Sequence, residues 1–219
     1  MSLALADLLE SNMLNPILAK HWPAQPDRTC LFWSPPRSED LLRAIDDHFS
    51  ILVEGKSVEK LRNFGSNPGD FVIIISSLSA YYLDMFQVLD HYFYKNTDIP
   101  PVITEQIITA TYEAFSNALI WSNLEIVPPQ NGEKDFDFLN TIEKSLSHQR
   151  FARRPLKLQF WFFPKSVDVS ITSYGLPFNL EQALQSNTKE YKGLAIMHTL
   201  STRLWSEEEG RRIWMRFDI

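Results

Sequence analysis

Residues 156–171 read LKLQFWFFPKSVDVSI, and the two alternating runs on either side of a Pro-Lys-Ser corner decide the architecture. Leu156, Leu158, Phe160 and Phe162 fall on one side of the first run, and Lys157, Gln159, Trp161 and Phe163 on the other. Beyond Pro164-Lys165-Ser166, Val167, Val169 and Ile171 alternate with Asp168 and Ser170. A period of two belongs to an extended strand with one buried face, and two such runs a few residues apart predict a β-hairpin. Trp161 and Phe163 sit on the nominally polar side. Both faces of this sheet are therefore expected to be covered, the outer one by the N-terminal part of the chain or by a partner.

Upstream of the hairpin, Phe71-Val-Ile-Ile-Ile75 is a continuous apolar run of strand length, followed by an apolar-rich segment to about Tyr94 that predicts one long helix. Asn96 to Pro101 breaks it. Thr104 is then expected to cap a second helix whose buried stripe is Ile108, Tyr112, Phe115 and Leu119. From 124 to 155 the pattern weakens, with loop signals at Pro128-Pro129 and Asn131-Gly132 and a helix expected over Phe136 to His148, so this stretch is expected to be an insertion. Downstream, Gly193 opens a helical pattern to about Thr202. Arg203-Leu204-Trp205, a turn at 207–210, and Ile213, Met215 and Phe217 then predict a closing hairpin. The order βααββαββ from residue 71 is that of an α+β sandwich with helices on one sheet face. Before it, Cys30 to Trp33, a helix capped by Ser38 and running to about Phe49, and Ile51 to Val53 make a small βα-type unit. The turn formers of 62–69 place a boundary there: an N-terminal extension over 1–66 and the main domain over 67–219.

The chain's 219 residues are 44% hydrophobic and carry a net charge of −6, enough apolar content for a sizeable core and no general attraction to nucleic acid or anionic lipid. No run reaches the roughly 20 apolar residues of a membrane span, and the start lacks the basic-then-apolar order of a secretory signal. With a single cysteine, Cys30, no intrachain disulfide can form. The expectations are a cytoplasmic location and a protein or small-molecule partner.

The second helix contains Glu113-Ala114-Phe115-Ser116-Asn117-Ala118, with Glu113 and Asn117 four apart and so on one face. After the hairpin comes Ser173-Tyr174-Gly175-Leu176-Pro177-Phe178-Asn179, and later Tyr191-Lys192-Gly193-Leu194-Ala195-Ile196-Met197, then Glu209-Gly210-Arg211-Arg212-Ile213-Trp214-Met215. In content and order these resemble the N-box, the two glycine boxes and the final strand of the bacterial anti-sigma-factor serine/threonine kinases, a family of the GHKL superfamily. The resemblance runs from Phe71 to Ile219. It implies a GHKL (histidine-kinase/Hsp90-like ATPase) two-layer sandwich, ATP and Mg²⁺ as cofactors, and a partner of the sigma-factor or anti-sigma antagonist type, with a homodimer also open. By the same resemblance Glu113 is the catalytic base toward an acceptor serine and Asn117 the metal ligand. Ser173, Gly175, Lys192, Gly193 and Leu194 are placed around the nucleotide.

Three positions depart from the family pattern. Ser173 stands where an aspartate would accept the adenine amino group, Pro177 where a second glycine belongs, and Tyr191 where the next box has its first glycine. Losing a charge-assisted hydrogen bond of about 1.5–3 kcal/mol weakens binding roughly ten- to a hundredfold. The expectation is weak nucleotide binding, with a catalytically inactive adaptor as the alternative.

Other signals are weaker. Glu54-Gly55-Lys56-Ser57 echoes the end of a P-loop, but Ser50 replaces its leading glycine. Asp46-Asp47-His48 has metal-ligand types at adjacent helical positions, which point apart. His198 invites comparison with a phosphotransfer histidine, although its place among Leu194, Met197 and Leu200 predicts simple packing.

Overall fold

The computed structural model describes residues 30–33, 37–54, 69–126, 135–185 and 192–219, the side chains of 30–33, 135–137 and 185 excepted. The segments 55–68, 127–134 and 186–191 lie outside the described residues, and with them the turn formers of 62–68, Gly55 to Ser57, the 128–132 loop signals and Tyr191. Strands are β1 (Cys30–Trp33), β2 (Ile51–Glu54), β3 (Phe71–Ser76), β4 (Pro155–Phe163), β5 (Ser166–Ser173), β6 (Arg203–Glu207) and β7 (Arg212–Asp218). They form one seven-stranded mixed sheet in the order β1-β2-β3-β4-β5-β7-β6. The fold is α+β.

The β4–β5 hairpin has the register its alternation predicts, with Leu158 opposite Ile171 and Phe160 opposite Val169. β3 pairs with β4 antiparallel and with β2 parallel, and β2 pairs with β1 parallel. The described strands of the N-terminal unit thus continue the same sheet. Parallel neighbours need a crossover. Here it includes α1 (Ser38–Asp46), which packs on α3 (Met85–Asn96). Ser38 is the first helical residue rather than the cap, because its hydroxyl instead accepts the N–H of Asp84. α1 ends three residues earlier than its pattern predicts. His48 adopts φ 63°, while Phe49 N–H reaches Ala44 O and His48 N–H reaches Ile45 O, the double hydrogen bond of a Schellman ending.

The single helix expected after β3 is two. Ser76 caps α2 (Ser77–Tyr82) by accepting Ser79 N–H, and Asp84 caps α3 by accepting Gln87 N–H. A new cap at Asp84 requires the chain to leave the helical path at Leu83. The next helix, α4 (Pro101–Asn117), starts at Pro101 rather than at Thr104, since a proline at the first helical position loses no hydrogen bond. Of its expected stripe Ile108, Phe115 and Leu119 are buried, but Tyr112 is exposed and meets Phe86 edge-on. Between 124 and 155 the described helices are α5 (Asp135–Leu146) and α6 (Gln149–Ala152), which add Ile142, Leu146 and Phe151 to the core. After β5 come α7 (Leu180–Gln185) and α8 (Lys192–Leu200), the latter packed on α4.

All eight described α-helices contribute to a core on one face of the sheet, centred on Phe71, Phe93, Phe160 and Phe217, each at most 2% exposed. The opposite face is also buried over its parallel half, at Ile51, Val53, Val72 and Ile74. Toward β6 it becomes half-open. Trp161 is buried there, stacked on Trp214 at 4.8 Å, whereas Phe163 is exposed. No described helix is long and apolar enough to cross a membrane.

Candidate functional site

α4 does not stop at Asn117. It runs into a π-helical turn, Ala118–Asn123, with Leu124 N–H reaching back to Leu119 O and Ile126 N–H to Ile120 O. A π-turn rotates the side chains that follow it off the α-helical face and is frequent at functional sites. Here it turns Ser122 and Asn123 inward. Asn123, fully buried, donates from Nδ2 to Ser77 Oγ at 3.0 Å and Pro155 O at 2.9 Å, and accepts Tyr174 N–H at 2.8 Å. Ser122 Oγ donates to Leu176 O at 2.6 Å, and Leu176 N–H returns to Ser122 O at 3.1 Å. A buried amide and a backbone exchange thereby fix the loop of residues 174–179.

Gly175 is required by this docking, because a Cβ there would overlap the Ser122 carbonyl. On its other flank the loop meets the turn of 208–211. Phe178 N–H donates to Gly210 O at 3.2 Å, and Gly210, at φ 86°, presses so close to the Phe178 carbonyl that no Cβ fits.

These elements enclose a cavity of about 260 Å³. α4 and the π-turn contribute Ala114, Asn117, Ala118 and Trp121. The sheet and loop supply Ile171, Ser173, Leu176 and Phe178, and α8 supplies Gly193, Leu194 and Met197. Arg211 and Ile213 close the remaining side. Most of the wall is apolar. Glu125, a carboxylate on it, is held by Arg154 at 2.6 Å.

Of the residues singled out in the sequence, Asn117, Ser173, Gly193 and Leu194 share this one wall. Glu113 lies one turn before Asn117, and both reach the first turn of α8. A methyl on Gly193 would stand 2.5 Å from Glu113 Oε2 and 3.1 Å from Asn117 Nδ2. Gly175 serves the loop and is not on the wall. Lys192 is exposed at the start of α8. Ser173 has its hydroxyl engaged, since both Oγ and N–H donate to Arg211 O, at 3.3 and 2.9 Å.

Among the described residues no group of three or more His, Cys, Asp or Glu side chains could hold a metal ion. Asp46 instead accepts from His91 at 2.9 Å, a bond that holds its carboxyl below the usual range. His198 is exposed, contrary to the packing expected of it, because Leu194 and Met197 alone take the buried side of α8. Sequence reasoning missed Trp121, Asn123 and Arg211. An asparagine four residues beyond Leu119, the last position of the apolar helical stripe, was the available signal for Asn123. No protein-family model matches this chain, and no curated protein is significantly similar to it.

Proposed function

We propose that this chain is a GHKL-type signalling regulator resembling an anti-sigma-factor serine/threonine kinase, which binds ATP and Mg²⁺ weakly in this cavity and acts on a protein partner. The observation that carries the reading is the convergence of Glu113 and Asn117 on Gly193 at the edge of the cavity. The strand order β3-β4-β5-β7-β6, with helices on one face, supports it.

The residues fit the phosphate end of such a ligand better than its base end. Asn117 offers an amide oxygen of the kind Mg²⁺ takes alongside phosphate and water, and α8 begins at Lys192-Gly193, where a helix N-terminus and a cation favour an anion. When bound, Mg²⁺-ATP would supply the phosphoryl group. With it bound, Glu113 would accept the proton of an incoming hydroxyl and Asn117 would hold the phosphate end. At the base end Ser173 already donates to Arg211 O, so weak affinity is expected.

That same engagement of Ser173, with the apolar wall, favours a second reading: a catalytically inactive adaptor of the same fold. Calorimetric titration with ATP, with and without Mg²⁺, decides between them. Mg²⁺-dependent heat that disappears in a folded Asn117→Ala variant is the outcome expected of the kinase-like reading. No heat up to millimolar ATP in the folded wild type would remove that reading and leave the adaptor.

A further inference from the structure

The outer face of the sheet, opposite the helices, carries charges in rows set by strand register. One row runs Trp161, Asp168, Arg216 and Arg203 across β4, β5, β7 and β6. Asp168, nearly buried, receives both arms of Arg216 at 2.6 Å. In that row Asp168 and Arg216 pair with each other, and Arg203 lies over the Trp205 ring at 4.9 Å. The row four residues along runs Ile74, Lys157, Thr172, Arg212 and Glu207 across β3, β4, β5, β7 and β6. In it Arg212 donates to Thr172 Oγ1 at 3.0 Å and pairs with Glu208 at 2.7 Å.

Lys157 is left over. As a residue it is 3% exposed, and among the described residues no hydrogen bond or ion pair reaches its ammonium, whose Nζ is not fully shut off from solvent. Burial, and secondarily the nearby Arg212, bring its pKa down to about 8, with Glu208 opposing, so at neutral pH the amine is still mostly protonated. An ammonium on a largely buried lysine, with three donors and no protein acceptor among the described residues, is unfavourable, and such groups are usually paired. Two cations flank one threonine hydroxyl here, and Arg212 takes the nearby carboxylate. On the far side Val53 and Ile74 are apolar and offer no acceptor.

We infer that Lys157, Thr172 and Arg212 form a receptor for a small oxyanion of the phosphate or carboxylate class on the outer face of the sheet, separate from the cavity. The arrangement has what such a ligand needs: an ammonium without an acceptor, a hydroxyl that can turn its proton outward while still accepting from Arg212, and a guanidinium with further N–H groups. The inference is independent of any nucleotide in the cavity.

Thermal denaturation of the whole chain at constant ionic strength tests it, with inorganic phosphate, sulfate, acetate or chloride added and Lys157→Met, Thr172→Val and Lys165→Met as variants. Lys165 lies in the exposed β4–β5 turn and serves as a control for surface charge. At about ten times its Kd, an oxyanion is expected to raise the wild-type Tm by about 3–6 °C with saturation, and equally in Lys165→Met. The rise should vanish in Lys157→Met and weaken in Thr172→Val. A response to phosphate and sulfate alone identifies the phosphate class, and a response to acetate alone the carboxylate class. An equal response to chloride, or a rise that survives in Lys157→Met, overturns the site. So does the absence of any rise at about 50 mM oxyanion. If Lys157→Met does not fold, Thr172→Val, which removes only the hydroxyl, must still show a Kd raised severalfold; an unchanged Kd overturns the proposal.

Discussion

Single residues in this chain divide by whether their neighbours can yield. Gly175 and Gly193 read alike in the sequence, yet the structure separates them. A Cβ at Gly175 meets the rigid carbonyl of Ser122, whereas at Gly193 it meets the end of the Glu113 side chain. Gly175→Ala should therefore break the exchange between Ser122 and Leu176 and cost about 3–4 kcal/mol, the sum of overpacking and two lost hydrogen bonds, read as a drop in the urea midpoint. Gly193→Ala should stay within about 1 kcal/mol of wild type, because Glu113 can rotate away. Its effect should appear instead as reduced ATP affinity in the titration. Lys157 makes a residue-scale prediction with a pH sign. Its pKa falls from 10.5 to about 8 on folding, with Arg212 and Glu208 the charged groups beside it. The unfolded chain then binds more protons than the folded one between those values, so wild-type stability should rise by about 3 kcal/mol from pH 8 to 10.5 through this group. In phosphate-free buffer Lys157→Met should hold that gain already at pH 7 and show no rise. A rise of equal size in both proteins would assign it to other groups.

At the scale of elements, what could be read in advance followed periodicity, and what could not followed local hydrogen bonding. Alternation is a property of consecutive residues, so β4, β5 and β7 stand where their patterns put them. The break between α2 and α3 depends on Asp84 becoming a cap, and nothing in an apolar run announces which polar residue will do so. Tyr112 has the right spacing for the buried stripe but turns out to pair with Phe86 on the surface. A π-turn is the hardest case. Residues 114–123 have the composition of a continuing α-helix, and only the i→i+5 bond and the partners of Asn123 favour the wider turn. The site followed the same division: Glu113 and Asn117 were legible from their four-residue spacing, and Arg211 and Trp121 were not, because they reach the cavity through tertiary packing. If Asn123 holds the π-turn in place, Asn123→Ala strands the partly buried Tyr174 N–H and the buried Pro155 carbonyl. A loss of roughly 3–5 kcal/mol is expected, against about 1 kcal/mol for an exposed asparagine such as Asn140. Near-ultraviolet dichroism should also lose part of the Trp121 signal, since that residue lies inside the turn.

For the whole molecule the open question is whether the βα unit before residue 66 and the rest of the chain fold as one body. The turn formers at 62–69 predict a boundary, while the sheet is continuous from β1 to β6. Continuity is more than adjacency. β2 and β3 share a ladder, α1 lies on α3, Ser38 accepts the Asp84 N–H that opens α3, and Asp46 holds both His91 and Lys95. Leu41, with no exposure, belongs to the same hydrophobic cluster as Met215 and Phe217, both on β7, which lies four strands from β2 and five from β1. Leu41→Ala should remove about 2–5 kcal/mol by opening a cavity under α1. Hydrogen exchange locates that loss. If the chain is one cooperative unit, the slowest amides of β2 and of β7 must lose the same protection free energy, because both exchange only when the whole molecule opens. Protection lost from residues 38–54 and retained over 212–218 would mean that the parallel edge unfolds by itself, and that the boundary read from the turn formers is an energetic one despite the unbroken sheet.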